Sequence, residues 1–167
     1  MRKALFCVLL FTLVPAGIAV ASDGLKVTGG GQVIADDQAG GPGDTIAFNA
    51  QQIEGEGSDM GSFPAKGQLQ VNNRTEGVRF HGVVTCIREF TDDEGQRFVR
   101  FGGFERTRSG GTGDSFVVDT MDNGQGPEGN DMIAFRQPAD NADPCEDSQE
   151  GTQLRSTRLA RGNVKEH

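Results

Sequence analysis

From Gly24 onward the chain repeats one pattern: a short run rich in Val, Ile, Phe and Thr, then a cluster of Gly, Asp or Asn. That punctuation suits strands joined by turns, because branched and aromatic side chains fit a pleated surface while Gly and Asn reach turn geometries. The spacing predicts strands at residues 25–28, 31–35, 44–53, 67–73, 77–90, 96–105, 114–121 and 130–137, with 162–166 as a ninth. Ile46 and Phe48 alternate with Ala47 and Asn49, and Leu69 and Val71 with Gln68 and Gln70. Each of these strands should therefore bury one face. Phe116-Val117-Val118 is continuously apolar, which predicts burial on both faces. The 77–90 run is long for one strand, and Gly82 within it predicts a bulge or a bend. The best helical attempt, Gln153–Ala160, is polar and too short to hold alone. The expected fold is all-β, an antiparallel β-sandwich of eight or nine short strands with one disulfide.

Before this patterned region the chain reads Met-Arg-Lys, then an apolar stretch, then Ala19-Val20-Ala21 ahead of Ser22. A basic start, a short apolar centre and small residues at the end make a secretory signal peptide over 1–21, leaving 22–167 as one domain. The leader takes two of the 16 basic residues (Arg2 and Lys3) and none of the 24 acidic ones, so the mature chain carries a net charge of −10. Such a balance argues against holding a nucleic-acid backbone or an anionic membrane. The absence of Trp and Tyr also removes the usual stacking platforms for bases and sugars. No second apolar segment long enough to span a membrane follows, so a secreted, extracellular or periplasmic monomer is expected.

Cys86 and Cys145 are the cysteines left after the leader, which contains Cys7. An even pair in an exported chain predicts one disulfide, and no C-x-x-C spacing supports a zinc site. One hairpin should join 87–90 to 96–101 through a turn closed by Gly95, and another should join 114–121 to 130–137. Residues 54–65 and 105–114 read as loops, and 138–160 as a long polar loop anchored by Cys145.

Several groups are candidates for chemistry. Residues 124–129 fit G-x-G-x-x-G, but Pro127 and Glu128 lie inside it and a strand follows, so a hairpin turn is expected in place of a phosphate cradle. Asp119, Asp122, Asn123 and Asp131 bring hard oxygens to one hairpin, the chemistry of a calcium site, although the EF-hand spacing is absent. His81 is the one His besides His167 and is the first candidate for acid–base work, but no Ser or Cys nucleophile stands in a recognisable context. Asn73-Arg74-Thr75 fits the glycosylation acceptor pattern, and Arg97, Arg100, Arg106 and Arg108 read as a solvated basic face.

An ordered set of short pieces resembles a family of small exported bacterial β-domains, the post-COAP-type domains. The pieces are Val27-Thr28-Gly29-Gly30-Gly31-Gln32-Val33, Thr45-Ile46-Ala47-Phe48-Asn49-Ala50 and Ala65-Lys66-Gly67-Gln68-Leu69-Gln70-Val71. They continue with Gly77-Val78-Arg79-Phe80-His81-Gly82, Val84-Thr85-Cys86, Phe101-Gly102-Gly103, Asp122-Asn123-Gly124 with Asp131, and Gly162-Asn163-Val164. The resemblance spans most of the mature chain and implies an antiparallel sandwich with no established catalytic residues. In physical terms, Gly29–Gly31 should form a corner between two strands. Cys86 should share the core face with Val84 and Phe80. The expected function is that of a secreted, non-catalytic surface, adhesion or protein-interaction module whose partner is unknown. The alternatives are a calcium-stabilised binding module using the 119–131 loop and a small hydrolase using His81 or paired carboxylates.

Overall fold

The computed structural model describes residues 24–33, 44–57, 61–74, 77–91, 95–124, 131–138, 144–146 and 157–167. The leader, Cys7 and most of the 138–160 stretch lie outside them. Eight strands follow in order: β1 (Lys26–Val33), β2 (Asp44–Gln52), β3 (Phe63–Asn73), β4 (Val78–Thr91), β5 (Arg97–Arg106), β6 (Thr112–Met121), β7 (Met132–Arg136) and β8 (Thr157–Glu166). Among the described residues there is no helix. Each strand is antiparallel to the next, and β8 returns to pair with β1. In place of the two sheets of a sandwich, the strands thus form one sheet closed as an up-and-down barrel.

Alternation explains the inside and the outside. Val27, Phe48, Leu69, Phe101, Val118 and Val164 belong to one buried interior cluster. Their out-of-phase neighbours Ala47, Asn49 and Gln51 on β2, and Lys66, Gln68 and Gln70 on β3, are exposed. Apolar inside and polar outside is the reverse of the arrangement in a membrane-spanning barrel. Eight strands enclose a space just wide enough for side chains to fill or for one small ligand. Each fully buried Leu or Phe contributes roughly 1.5–3 kcal/mol.

Closure explains where the strands depart from expectation. Gly29–Gly31 makes no corner; β1 runs straight through it. A Cβ on Gly29 would stand 2.6 Å from the Phe48 ring, and one on Gly30 would stand 2.7 Å from the Ile46 carbonyl oxygen. These glycines let β1 lie close between β2 and β8. Gly82 is no bulge either: a Cβ there would overlap the Phe116 ring, so the glycine clears space for a core aromatic. β3 begins at Phe63 and β8 at Thr157, so both neighbouring loops are shorter than expected. The predicted β4–β5 and β6–β7 hairpins are present, and Gly95 has φ +80° where its turn requires it.

The bulge in β4 lies between Val84 and Cys86, which face Gly103 and Gly102 on β5. One extra residue reverses the phase of every side chain beyond it. Ile87 consequently points into the barrel opposite Phe101, and Cys86 leaves the core face expected for it. Cys86 lies opposite Gly102, where a Cβ would meet Pro144 at 2.7 Å. The Cys86–Cys145 disulfide joins positions 59 residues apart and fastens residues 144–146 over this outer wall. Both cysteines are buried there, outside the barrel interior.

The same outer wall carries a buried polar layer. Arg100 and Asp119 sit opposite each other on β5 and β6 and form a bidentate pair at 2.6 and 2.9 Å, with each side chain 1% exposed. The Arg100 guanidinium lies 4.9 Å from the centre of the Phe90 ring, which stacks on Phe98 at 5.3 Å. The expected solvated basic face is therefore divided: Arg100 is buried, Arg97 is in an exposed ion pair with Glu89, and Arg106 and Arg108 are exposed.

Candidate functional site

The two ends of the barrel are built differently. At the end where β1, β3, β5 and β7 finish and β2, β4, β6 and β8 begin, the interior opens into a cavity of about 410 Å³. Its apolar lining comes from five strands: Val33 on β1, Ile46 on β2, Val71 on β3, Phe80 on β4, and Ile133 and Phe135 on β7. These residues face inward because they keep the phase of the core; Phe135, for example, lies opposite Val118. Phe116, Phe80 and Phe135 form an edge-on file with ring centres 5.6 and 5.5 Å apart, leading from the core to the opening. Phe135 ends that file 38% exposed.

Polar groups ring the opening: Asp44, Thr45, Asn73, Glu105 and Gln137. Asp44 is in phase with Ile46 and Phe48, and one of its oxygens accepts the Arg74 backbone N–H at 2.9 Å. Glu105 lies opposite Gly82, and a Cβ on Gly113 would approach its carboxylate to 2.9 Å. Gly113 thus leaves room for the acid at the rim. Among the described lining residues there are two carboxylates and no Lys, Arg or His.

The opposite end is closed by polar contacts. β7 is only five residues long and meets β8 at two residue pairs, so the later part of β8, paired with β1 on one edge, has no β7 residue along its other edge. Asp131 substitutes for the missing strand: its carboxylate accepts the Val164 N–H at 2.7 Å and the Asn123 N–H at 3.0 Å, while its carbonyl accepts the Leu159 N–H. Asp122 accepts the Glu166 N–H at 3.4 Å and the Gly124 N–H at 2.9 Å. Buried backbone donors need such partners, since an orphaned one costs about 1–3 kcal/mol. Arg97 completes the closure, 2.7 Å from Glu89 and 3.8 Å from Glu166. Its hydrogen bond to Glu89 holds Arg97 above its usual value. Burial pushes the Glu166 carboxyl up, against the opposing pull of Arg97.

The sequence candidates fall on several surfaces. Asp122, Asn123 and Asp131 meet at the closed end, where Asp122 and Asp131 accept backbone N–H groups; Asp119 faces Arg100 on the outer wall. Among the described residues no three His, Cys, Asp or Glu side chains gather as a metal site. His81 is exposed on the outer surface opposite Gln70, lining a shallow dish with Thr45, Asn72 and Arg79. His81 alternates with Phe80 along β4, and its dish shares Thr45, Ile46, Val71 and Phe80 with the lining of the cavity. Gly124 has φ +99° just after β6, as a turn needs, and the remainder of the 124–129 motif lies outside the described residues. Asn73 ends β3 at the rim, with Thr75 of the acceptor pattern outside the described residues.

Asp44, Glu105 and Phe135 were not sequence candidates. The available signal was phase: each is an acidic or large aromatic residue at a strand end, in register with core residues. No family model, curated protein or solved structure matches the chain.

Proposed function

We propose that the chain is an exported, non-catalytic, monomeric β-domain whose work is contact, and that it makes that contact through the open mouth of the barrel. The observation carrying this reading is the mouth itself: a cavity within the size range of small-ligand sites, with an apolar floor and a few convergent polar groups. Export rests on the leader motif. The disulfide is compatible with an extracellular or periplasmic location, and among the described residues no helix is long and apolar enough to cross a membrane.

The hydrolase reading has less support. His81 is on the outer surface with no Ser or Cys among the described residues lining its dish, and the described cavity lining has one hydroxyl, that of Thr45. Asp44 and Glu105 share the cavity, but above an aliphatic and Phe-lined floor. The calcium reading rests on acids that already anchor backbone donors, and a rise in melting temperature in millimolar calcium would revive it.

The mouth is tested with N-phenyl-1-naphthylamine, a neutral apolar dye that brightens on leaving water. Saturable binding of one dye per chain is expected. Val71→Glu, which places a charge in the mouth, should abolish it, whereas Val83→Glu on the exposed outer face of β4 should leave it intact. Equal binding by both variants, or no saturable site in the wild type, overturns the reading.

A further inference from the structure

Resting on that reading, we propose that the mouth selects small molecules with an apolar body and a positively charged nitrogen, an amine or a quaternary ammonium. The described lining carries two carboxylates, Asp44 and Glu105, on β2 and β5. It holds no basic side chain to neutralise them. Neither carboxylate stands out of phase on the water-facing surface: Asp44 is in step with Ile46, and Glu105 lies opposite Gly82 and Gly103 opposite Val84 on the inward face. Both are half-buried. Beside a low-dielectric wall, their attraction for a cation exceeds what the same groups would offer in open water.

The aromatic file points to the same ligand class. Phe135 keeps a large apolar ring 38% exposed at the mouth, edge-on to Phe80. An exposed aromatic next to acidic groups is the arrangement that attracts organic cations, because the ring face is electronegative and the ring also covers the ligand's methylenes. A fatty acid or other organic anion would bring a negative head to two like charges. A neutral alcohol would gain only the apolar term. The floor of Ile46, Val71, Phe80 and Ile133 binds the body, and the rim discriminates the head.

Three probes of equal chain length separate the terms: octyltrimethylammonium, octanol and octanoate, each titrated calorimetrically into the intact mature chain below its micellar concentration. The cation is expected to bind at least tenfold more tightly than octanol, and octanoate more weakly than either. The preference for the cation should shrink as salt rises from low ionic strength to about 0.15 M, where the screening length falls to about 8 Å. Asp44→Asn with Glu105→Gln should erase the tenfold preference for the cation over octanol, whereas Val83→Glu on the outer face of β4 should leave that preference intact. The melting temperature of this double variant, measured alongside, verifies that it is folded. Equal binding of all three probes, all displaced by N-phenyl-1-naphthylamine, overturns the cation selectivity and leaves the binding mouth standing. Absence of binding by every probe and by the dye overturns both.

Discussion

The two ends of this barrel use acidic residues in opposite ways. At the closed end, Asp122 and Asp131 are bonded to backbone N–H groups of β8 and of their own loop, and Glu166 faces Arg97. The charge of Asp122 and Asp131 is consumed in holding the chain together. At the open end, Asp44 and Glu105 stand over an apolar cavity whose described lining has no basic residue. Acid content alone therefore says little. What matters is how far the fold engages each carboxylate: both Asp131 oxygens accept backbone N–H groups, whereas Asp44 accepts the Arg74 N–H with one oxygen and lines the cavity. The difference arises from strand length, because short β7 leaves the Val164 and Glu166 donors of β8 to the Asp131 and Asp122 side chains.

The largest perturbation should act on the wall between the two ends. Replacing Cys86 and Cys145 with Ser removes a crosslink spanning 59 positions, at a cost of about 4 kcal/mol on the chain-entropy account. Chemical denaturation should show the loss, and the dye should still bind at temperatures where the variant stays folded, since the bridge lies outside the interior. A loss of dye binding in the folded variant would show that the outer strap shapes the mouth.

Asp131→Ala comes next. It removes two charge-assisted hydrogen bonds and strands the Val164 N–H, so a loss of about 2–3 kcal/mol is expected. Hydrogen exchange should localise the damage to β8. If exchange rises equally at the open end, the two ends are not separable.

Glu166 tests the electrostatics of the closed end. Burial raises its carboxyl above the ordinary value, so ionising it costs the folded state more than the unfolded one. That cost is complete above the raised value and absent below the unfolded one. Glu166→Gln should therefore raise the melting temperature at pH 7, with the gain fading as pH falls through the carboxylate range. A gain that is constant with pH would assign the effect to packing instead. The smallest stability effect belongs to the open end, where Asp44→Asn and Glu105→Gln should each shift stability by under about 0.5 kcal/mol. A loss above 1 kcal/mol from either would make that carboxylate a structural group like Asp131.

Much of the fold was legible because the relevant signals are local. Alternation in Ile46–Ala50 and Leu69–Val71 located strands and their buried faces, and Gly95 marked a hairpin. The cysteine pair was correct, yet its placement was not, because one bulged residue between Val84 and Cys86 turned Cys86 outward. Gly29–Gly31 looked like a corner for a similar reason. A glycine that permits a turn and a glycine that permits a close neighbour are the same residue, and only the neighbour distinguishes them. Among the candidate acids, sequence proximity drew Asp119, Asp122 and Asp131 together, whereas the structure separates Asp119 onto the outer wall beside Arg100.

The sequence by itself determined most of the strand-forming segments, the β4–β5 and β6–β7 hairpins, the disulfide partners and the overall acidity, because each follows from residue type and short-range period. Only the tertiary structure decided that the sheet closes on itself, which charges become buried pairs, and which described residues gather around a cavity at one end. Those outcomes depend on register between strands distant in sequence. A single-residue shift in register exchanges the inside for the outside without altering any local propensity.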